Sequence, residues 1–294
     1  MKKAFVIMTA LAAFLAICRF DSAHATGFLY DGTEWTTIEF PGASSTEPRD
    51  IDGNNIVGNY WDGSESHSFL FDGMNWTTLE FPGAISTYAS GIDGNNIVGI
   101  YADNFNLAYG FLYDGTNWST LEYPGAIWTQ AFGIDGNNIV GQYMDSSLTR
   151  HGYLYDGTNW TTLDYPSGSP WVTPYGIDGN YIIGTYSGSG FLFDGTNWST
   201  FDYPGADWTY SFGIDGNNIV GYYRVALSIR QAFIYDGTNW TLLENPNANW
   251  TEAYGIDGNN IVGTYKNVVH EPATMLLLGA GLLGVAGVRR KLTK

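Results

Sequence analysis

The nine residues Gly133-Ile134-Asp135-Gly136-Asn137-Asn138-Ile139-Val140-Gly141 read GIDGNNIVG. The same nine stand at 91–99, 213–221 and 255–263, with near copies DIDGNNIVG at 50–58 and GIDGNYIIG at 176–184. Around each copy a longer unit recurs, close to GFLYDGTNWTTLEYPGAxWTxAxGIDGNNIVGxY. The units start at Gly27, Ser68, Gly110, Gly152, Gly190 and Ala232, spaced by 41, 42, 42, 38 and 42 residues. A period of this size points to a solenoid, a propeller or an array.

Each unit carries four short runs of strand-forming residues. In the third they are 111–113 (FLY), 118–123 (WSTLEY), 129–134 (TQAFGI) and 138–144 (NIVGQYM). Asp-Gly turns separate the first run from the second and the third from the fourth, which is a tight-hairpin signal. Four antiparallel strands in about 40 residues match one propeller blade, and helical periodicity is missing from the body. The expected fold is therefore all-β: a six-bladed β-propeller of ~42-residue four-stranded repeats. An open-ended β-solenoid is the runner-up. Apolar residues fall on both faces of WSTLEY, as in a sheet buried between two neighbours.

Prolines order the strands. Pro41, Pro82, Pro124, Pro166, Pro204 and Pro246 end the WTTLEY run, and Pro48 and Pro174 interrupt the TxAxGI run. Proline is tolerated at sheet edges, so those two runs are the edges and NIVGxY and FLY are central. The small residues of TxAxGI suit the crowded axis. On this phase GIDGNNIVG is the inner hairpin of a blade, its Gly, Asp and Asn supplying turn dihedrals. Residues 27–40 would supply the outer half of the last blade and close the ring against 250–265. The repeat FLYDG…W..L..PGA..T.A.GI…G.IVG.Y resembles the HAF-type bacterial extracellular repeat, which implies export and a β-rich repeat without a known activity.

The ends read as addresses. Met1-Lys2-Lys3, an apolar run from Ala4 to Cys18 and Ala23-His24-Ala25 form a secretory signal over 1–25, cleaved after Ala25. Cys18, in a weak lipoprotein context, is the only cysteine, so zinc–thiolate and cysteine-nucleophile chemistry are excluded from the mature body. At the other end Glu271-Pro272 precede MLLLGAGLLGVAGV (275–288) and Arg289-Arg290-Lys291. The apolar run is shorter than a comfortable transmembrane helix, and the basic stop would stay cytoplasmic. Residues 270–294 resemble the PEP-CTERM sorting signal of Gram-negative bacteria, with His270 in place of the first proline of Pro-Glu-Pro. The resemblance implies an exosortase-type membrane protease as partner, membrane contact only through the C-terminal helix before processing, and release to the cell surface or extracellular matrix beside exopolysaccharide or biofilm.

Residues 26–269 carry five Lys or Arg against 27 Asp or Glu, a balance of −22. Such a surface repels nucleic acid and anionic lipid. The two constant turns, DGTN and DGNN, fall on one face of a meander and the two variable loops on the other. Unequal loops on an equal scaffold are the usual place for binding. Trp128, Trp171, Trp208 and Trp250 recur in one of these loops and Trp61 lies in the other, so they are the ligand-binding candidates, with sugar rings stacking on indole faces. Against this stands inward packing between blades. Trp35, Trp76, Trp118, Trp160, Trp198 and Trp240 recur in every unit and read as packing. The repeated aspartates raise calcium, but one Asp per turn beside Gly is hairpin chemistry, so no metal or other cofactor is assigned. His67 and His151, in equivalent loops, have no partner motif. No catalytic residue stands out. A non-enzymatic binding protein for extracellular polysaccharide or another matrix component is the leading expectation, and a glycan-active enzyme using channel carboxylates is the alternative.

Overall fold

The computed structural model describes residues 25–105, 107–166, 171–226, 229–246 and 248–267. The signal segment before Ala25, and the sorting tail with its expected helix, Glu271, Pro272, Arg289 and Arg290, lie outside the described residues. The described residues form strands and turns without a helix.

Twenty-four strands follow in chain order: β1 (Thr26–Tyr30), β2 (Trp35–Ile38), β3 (Ser45–Asp52), β4 (Asn55–Trp61), β5 (Ser66–Phe71), β6 (Trp76–Leu79), β7 (Ser86–Asp93), β8 (Asn96–Ala102), β9 (Ala108–Tyr113), β10 (Trp118–Leu121), β11 (Trp128–Asp135) and β12 (Asn138–Met144). The second half holds β13 (Arg150–Tyr155), β14 (Trp160–Leu163), β15 (Val172–Asp178), β16 (Tyr181–Tyr186), β17 (Ser189–Phe193), β18 (Trp198–Phe201), β19 (Trp208–Asp215), β20 (Asn218–Val225), β21 (Ile229–Tyr235), β22 (Trp240–Leu243), β23 (Ala248–Asp257) and β24 (Asn260–Asn267). They make six four-stranded antiparallel sheets, five of consecutive strands and one ordered β2-β1-β24-β23. In that mixed sheet Thr26 lies opposite Tyr265 and Tyr30 opposite Ile261. Each of β3, β7, β11, β15, β19 and β23 packs against the next and β23 returns to β3, so the six inner strands ring one axis. This is a six-bladed β-propeller with the prolines at blade edges.

The opening phrase can now be read atom by atom in the third copy. A Cβ on Gly133 would sit 2.5 Å from the Tyr175 carbonyl oxygen of the next blade, so this glycine sets the blade spacing. Ile134 packs with Ile139, Val98 and Leu121 between blades. Gly136 has φ +57° at the first of two central turn positions, as a tight II′ hairpin requires. A Cβ on Gly141 would lie 2.0 Å from the Gln130 carbonyl oxygen. That approach exists because β11 bulges between Ala131 and Gly133. All six inner strands bulge at the equivalent place. Asp135 does more than shape its turn, as shown below.

The outer strands end earlier than the apolar run suggests. β10 stops at Leu121, and the Tyr123 N–H donates instead to Thr129 Oγ1 at 2.9 Å. Phe40–Thr46, Phe81–Thr87 and Tyr203–Thr209 repeat this tie. Each threonine is buried on the next inner strand, so the bond joins neighbouring blades. The six recurrent tryptophans pack within their blades; Trp118 lies 5.0 Å from Phe111 and 4.6 Å from Tyr113 between ring centroids. Tyr123 stacks on Tyr143 at 3.7 Å. Aromatic pairs of this kind add about 0.5–1.5 kcal/mol each beyond area burial.

Candidate functional site

The inner strands enclose a channel of about 960 Å³, at the upper end of the range for small-molecule sites, roughly 300–1,000 Å³. One end belongs to the DGNN turns. There each Asp carboxylate accepts the turn-glycine N–H of the following blade. Gly94 donates to Asp52 at 2.8 Å, Gly136 to Asp93 at 2.8 Å, Gly179 to Asp135, Gly216 to Asp178, Gly258 to Asp215 and Gly53 to Asp257, the last four at 2.7 Å. Six bonds thus clasp the ring around its axis. Reading these aspartates as turn formers alone missed this role, because a carboxylate's reach to another blade has no local sequence signal.

The DGTN aspartates behave as the turn reading anticipates. Asp114 Oδ1 accepts the Asn117 N–H at 2.6 Å and the Thr116 N–H at 2.8 Å. Those bonds, Asn117 first, hold its carboxyl below the usual carboxylate range. Among the described residues no three His, Cys, Asp or Glu side chains converge as a metal site.

Higher in the channel the sixfold repetition breaks. The bulge re-aims one side chain per inner strand, and all six line the channel: Arg49, Ser90, Phe132, Tyr175, Phe212 and Tyr254. Two rungs above the first glycine of the phrase, or Asp50 in its place, the wall includes Glu47, Tyr88, Tyr210 and Glu252. On the inner strands this upper charge falls on two adjacent blades, Arg224 and Arg230 add to it from the blade beside them, and aromatic side chains fill most of the rest. Arg49 Nη2 donates to Glu47 Oε2 at 2.5 Å, and its guanidinium lies 4.5 Å from the Tyr254 ring centroid. The Tyr254 hydroxyl donates to Glu252 Oε2, while Arg230 Nη1 donates to Glu252 Oε1 at 2.8 Å.

Asp50 stands where the other five copies of the phrase have glycine. Its Oδ2 accepts the Ile92 N–H of the next blade at 2.9 Å. Burial pushes its pKa up to about 7, against the backbone bonds from Ile92 and Ile51 and with help from the Asp52 and Asp257 charges. Burial also raises Glu47, opposed by Arg49 and reinforced by Glu252. The departure of DIDGNNIVG from the phrase was visible in the sequence. Its meaning was not, since only the ring places Asp50, Arg49 and Glu47 beside residues 252–254.

The five tryptophan candidates fall into different environments. Trp128 is buried, 7% exposed, against Ile100, Phe132 and Met144, so it packs the wall instead of offering an open face. Trp171 is 59% exposed and Trp208 45% exposed. Trp208 lies over Gly188, where a Cβ would meet the indole at 2.9 Å. Trp250 is half-buried and lines the channel, and Arg230 lies 5.7 Å from its ring. Trp61 is half-buried at the end of β4, opposite Ser45 and Ser66. Arg150 lies between two indoles, 5.8 Å from Trp128 and 5.3 Å from Trp171.

The histidines lie on strands, not in loops. His67 on β5 stacks on Tyr60 and His151 on β13 stacks on Tyr143. His151 Nδ1 is 2.9 Å from Asp164. They belong to separate, non-adjacent blades and do not approach each other. Ala25, the residue before the expected cleavage point, is buried beside the channel and its carbonyl accepts the Thr46 N–H at 3.4 Å.

Comparison with known proteins adds an address. Residues 271–291 match the PEP-CTERM protein-sorting motif. The chain is an exported, exosortase-sorted surface protein. No curated protein matches the chain. Solved structures of similar architecture include an Aleuria aurantia lectin mutant in complex with Fucα1-6GlcNAc, at 12% identity over 72% of this chain and 84% of that one, TM-score 0.45. AofleA from Arthrobotrys oligospora gives 14% over 76% and 79%, TM-score 0.47. The β-propeller domain of the Trilobed protease from Pyrococcus furiosus gives 13% over 73% and 87%, TM-score 0.46. At these values the likeness concerns the fold and carries nothing about a ligand.

Proposed function

We propose that this protein is a non-enzymatic binding component of the surface or matrix of a Gram-negative cell, released there after exosortase processing, and that its propeller binds extracellular polysaccharide. The observation that carries the reading is the loop face itself. The indoles of Trp171 and Trp208 are open to solvent, and Trp250 edges an aromatic-walled channel. Pyranose rings present C–H faces that stack on indoles, while their hydroxyls accept bonds from Arg and Tyr side chains and donate to Glu carboxylates. The resemblance of the repeats to HAF-type extracellular repeats, and of the tail to signals found beside exopolysaccharide and biofilm genes, supports the same assignment.

The test is intrinsic tryptophan fluorescence of the full-length protein titrated with the host's exopolysaccharide. A saturable shift in the wild type, lost in Trp171→Ala/Trp208→Ala/Trp250→Ala with thermal unfolding unchanged, supports the reading. A flat trace in the wild type overturns it.

A glycan-active enzyme is the second reading, favoured by one observation. Asp50 is held near pKa 7 by burial, in the range suited to a general acid, with Glu47 and Glu252 close in the wall. Release of reducing ends from polysaccharide by the wild type, abolished in Asp50→Asn, would establish it. Its absence from the wild type would dismiss it.

A further inference from the structure

The five basic residues of a body with a balance of −22 are not scattered. Four of them share a single rung close to the loop face. Arg150 lies opposite Met144, which lies opposite Trp128. Arg230 lies opposite Arg224, which lies opposite Trp208. Lys266 lies opposite Trp250. Cross-strand partners project from the same side of a sheet, so three of the four equivalent tryptophans, the buried Trp128 among them, have a cation on their own rung. The fourth, Trp171, receives Arg150 from the neighbouring blade.

Four carboxylates of this face are already engaged. Asp164 and Asp202 follow the outermost strands and bond His151 and Ser189. Asp207 accepts the Ala226 N–H at 2.7 Å. Glu252 is held by Arg230 and Tyr254. Arg224 differs from the other channel arginines. It lines the channel, yet its Nε is buried without a hydrogen-bond partner in the protein, and none of the ion pairs among the described residues includes it. A buried donor left unmade is costly, and an arginine fork is built to take a carboxylate. Beside it stand the open Trp208 and, two rungs deeper, Tyr210 and Tyr222 with centroids 4.8 Å apart.

We propose that this rung selects an acidic sugar: the site takes a carboxylate-bearing saccharide residue of the hexuronate class, its carboxylate on Arg224 and its ring against Trp208 or Trp250. The proposal rests on the polysaccharide reading above and narrows it. A neutral sugar offers Arg224 hydroxyl acceptors but leaves its charge without a counter-charge. An acidic one also meets Arg230, whose fork Glu252 already orients.

The test titrates the full-length protein, followed by tryptophan fluorescence, with oligomers of galacturonate, glucuronate and mannuronate. Each is paired with its carboxyl-reduced counterpart, which keeps the ring and loses the charge. The expected result is saturable binding of at least one acidic series, weakened about tenfold or more by carboxyl reduction. Arg224→Gln should abolish that difference while leaving the melting temperature in place. Equal binding of an acidic series and its reduced counterpart, or undiminished preference in a folded Arg224→Gln, overturns the acidic selectivity and leaves the polysaccharide reading standing. No response to any member of either series overturns both. Should Arg224→Gln fail to fold, the paired ligands on the unaltered protein decide alone.

Discussion

The two faces of this propeller are made from the same six repeats and differ in what repetition does for them. On the turn face every blade repeats its neighbour, and six Asp-to-Gly bonds run once around the axis. On the loop face the equivalent positions hold Ser45, Ser86, Trp128, Trp171, Trp208 and Trp250, in surroundings from buried to largely open. Repetition encodes geometry, because a ring closes only if its blades agree. Recognition needs a place where they disagree, and the chain confines that disagreement to the upper channel and its rim.

The comparison can be broken hardest at a position where geometry leaves no room. Gly141→Val would drive a side chain into the Gln130 carbonyl and should destabilise by about 4 kcal/mol or more, as buried backbone collisions do. A folded variant with an unshifted melting temperature would refute the packing role given to the phrase. Next comes the contrast between two tryptophans that look alike in sequence. Trp128→Ala removes a buried indole and should cost about 3–5 kcal/mol. Trp171→Ala removes an open one and should stay within about 0.5 kcal/mol. Denaturant unfolding of the pair measures the difference, and equal costs would dissolve the distinction between wall and rim.

A smaller effect belongs to the clasp. Asp93→Ala deletes the acceptor for the Gly136 N–H and should lower stability by about 1 kcal/mol, while Asp93→Asn, which retains an oxygen there, should lose less. Identical losses would mean that charge, not the bond, matters. The mildest test follows pH. Asp50 has a folded pKa near 7, raised above its value in the unfolded chain. The unfolded carboxyl ionises first, so stability from this group is complete below about pH 4 and falls as pH climbs to 7. Asp50→Asn keeps an acceptor for the Ile92 N–H and cannot ionise. Its melting temperature relative to wild type should therefore rise between pH 4 and 8, whereas a constant difference would contradict the buried ionisation.

Much of the fold was legible because its signals are local. The period, the Asp-Gly turns and the edge prolines each reflect chemistry within a few residues, and together they gave the blade and its strand order. The site was legible only as a list of five tryptophans. Whether an indole points into a wall or out of a rim depends on the neighbouring blade, so Trp128 and Trp171 could not be told apart. Asp50, Arg49 and Glu47 were visible as departures from a consensus. Glu252, brought beside Arg49 and Asp50 by ring closure over some 200 residues, and Arg230, which pairs with it from the preceding blade, carried no such mark. The rung of cations was present in the composition all along as five scarce letters, and only strand register aligned four of them.

The central claim is that the loop face, not the turn face, recognises the ligand. Hydrogen–deuterium exchange on the full-length protein, with and without the host's exopolysaccharide, addresses it most directly. The account predicts new protection in the segments after Pro-Gly-Ala and along the rung of Trp208, Arg224 and Trp250, with the DGTN turns unchanged. Protection centred on the DGTN and DGNN turns, with the tryptophan rim untouched, would contradict it.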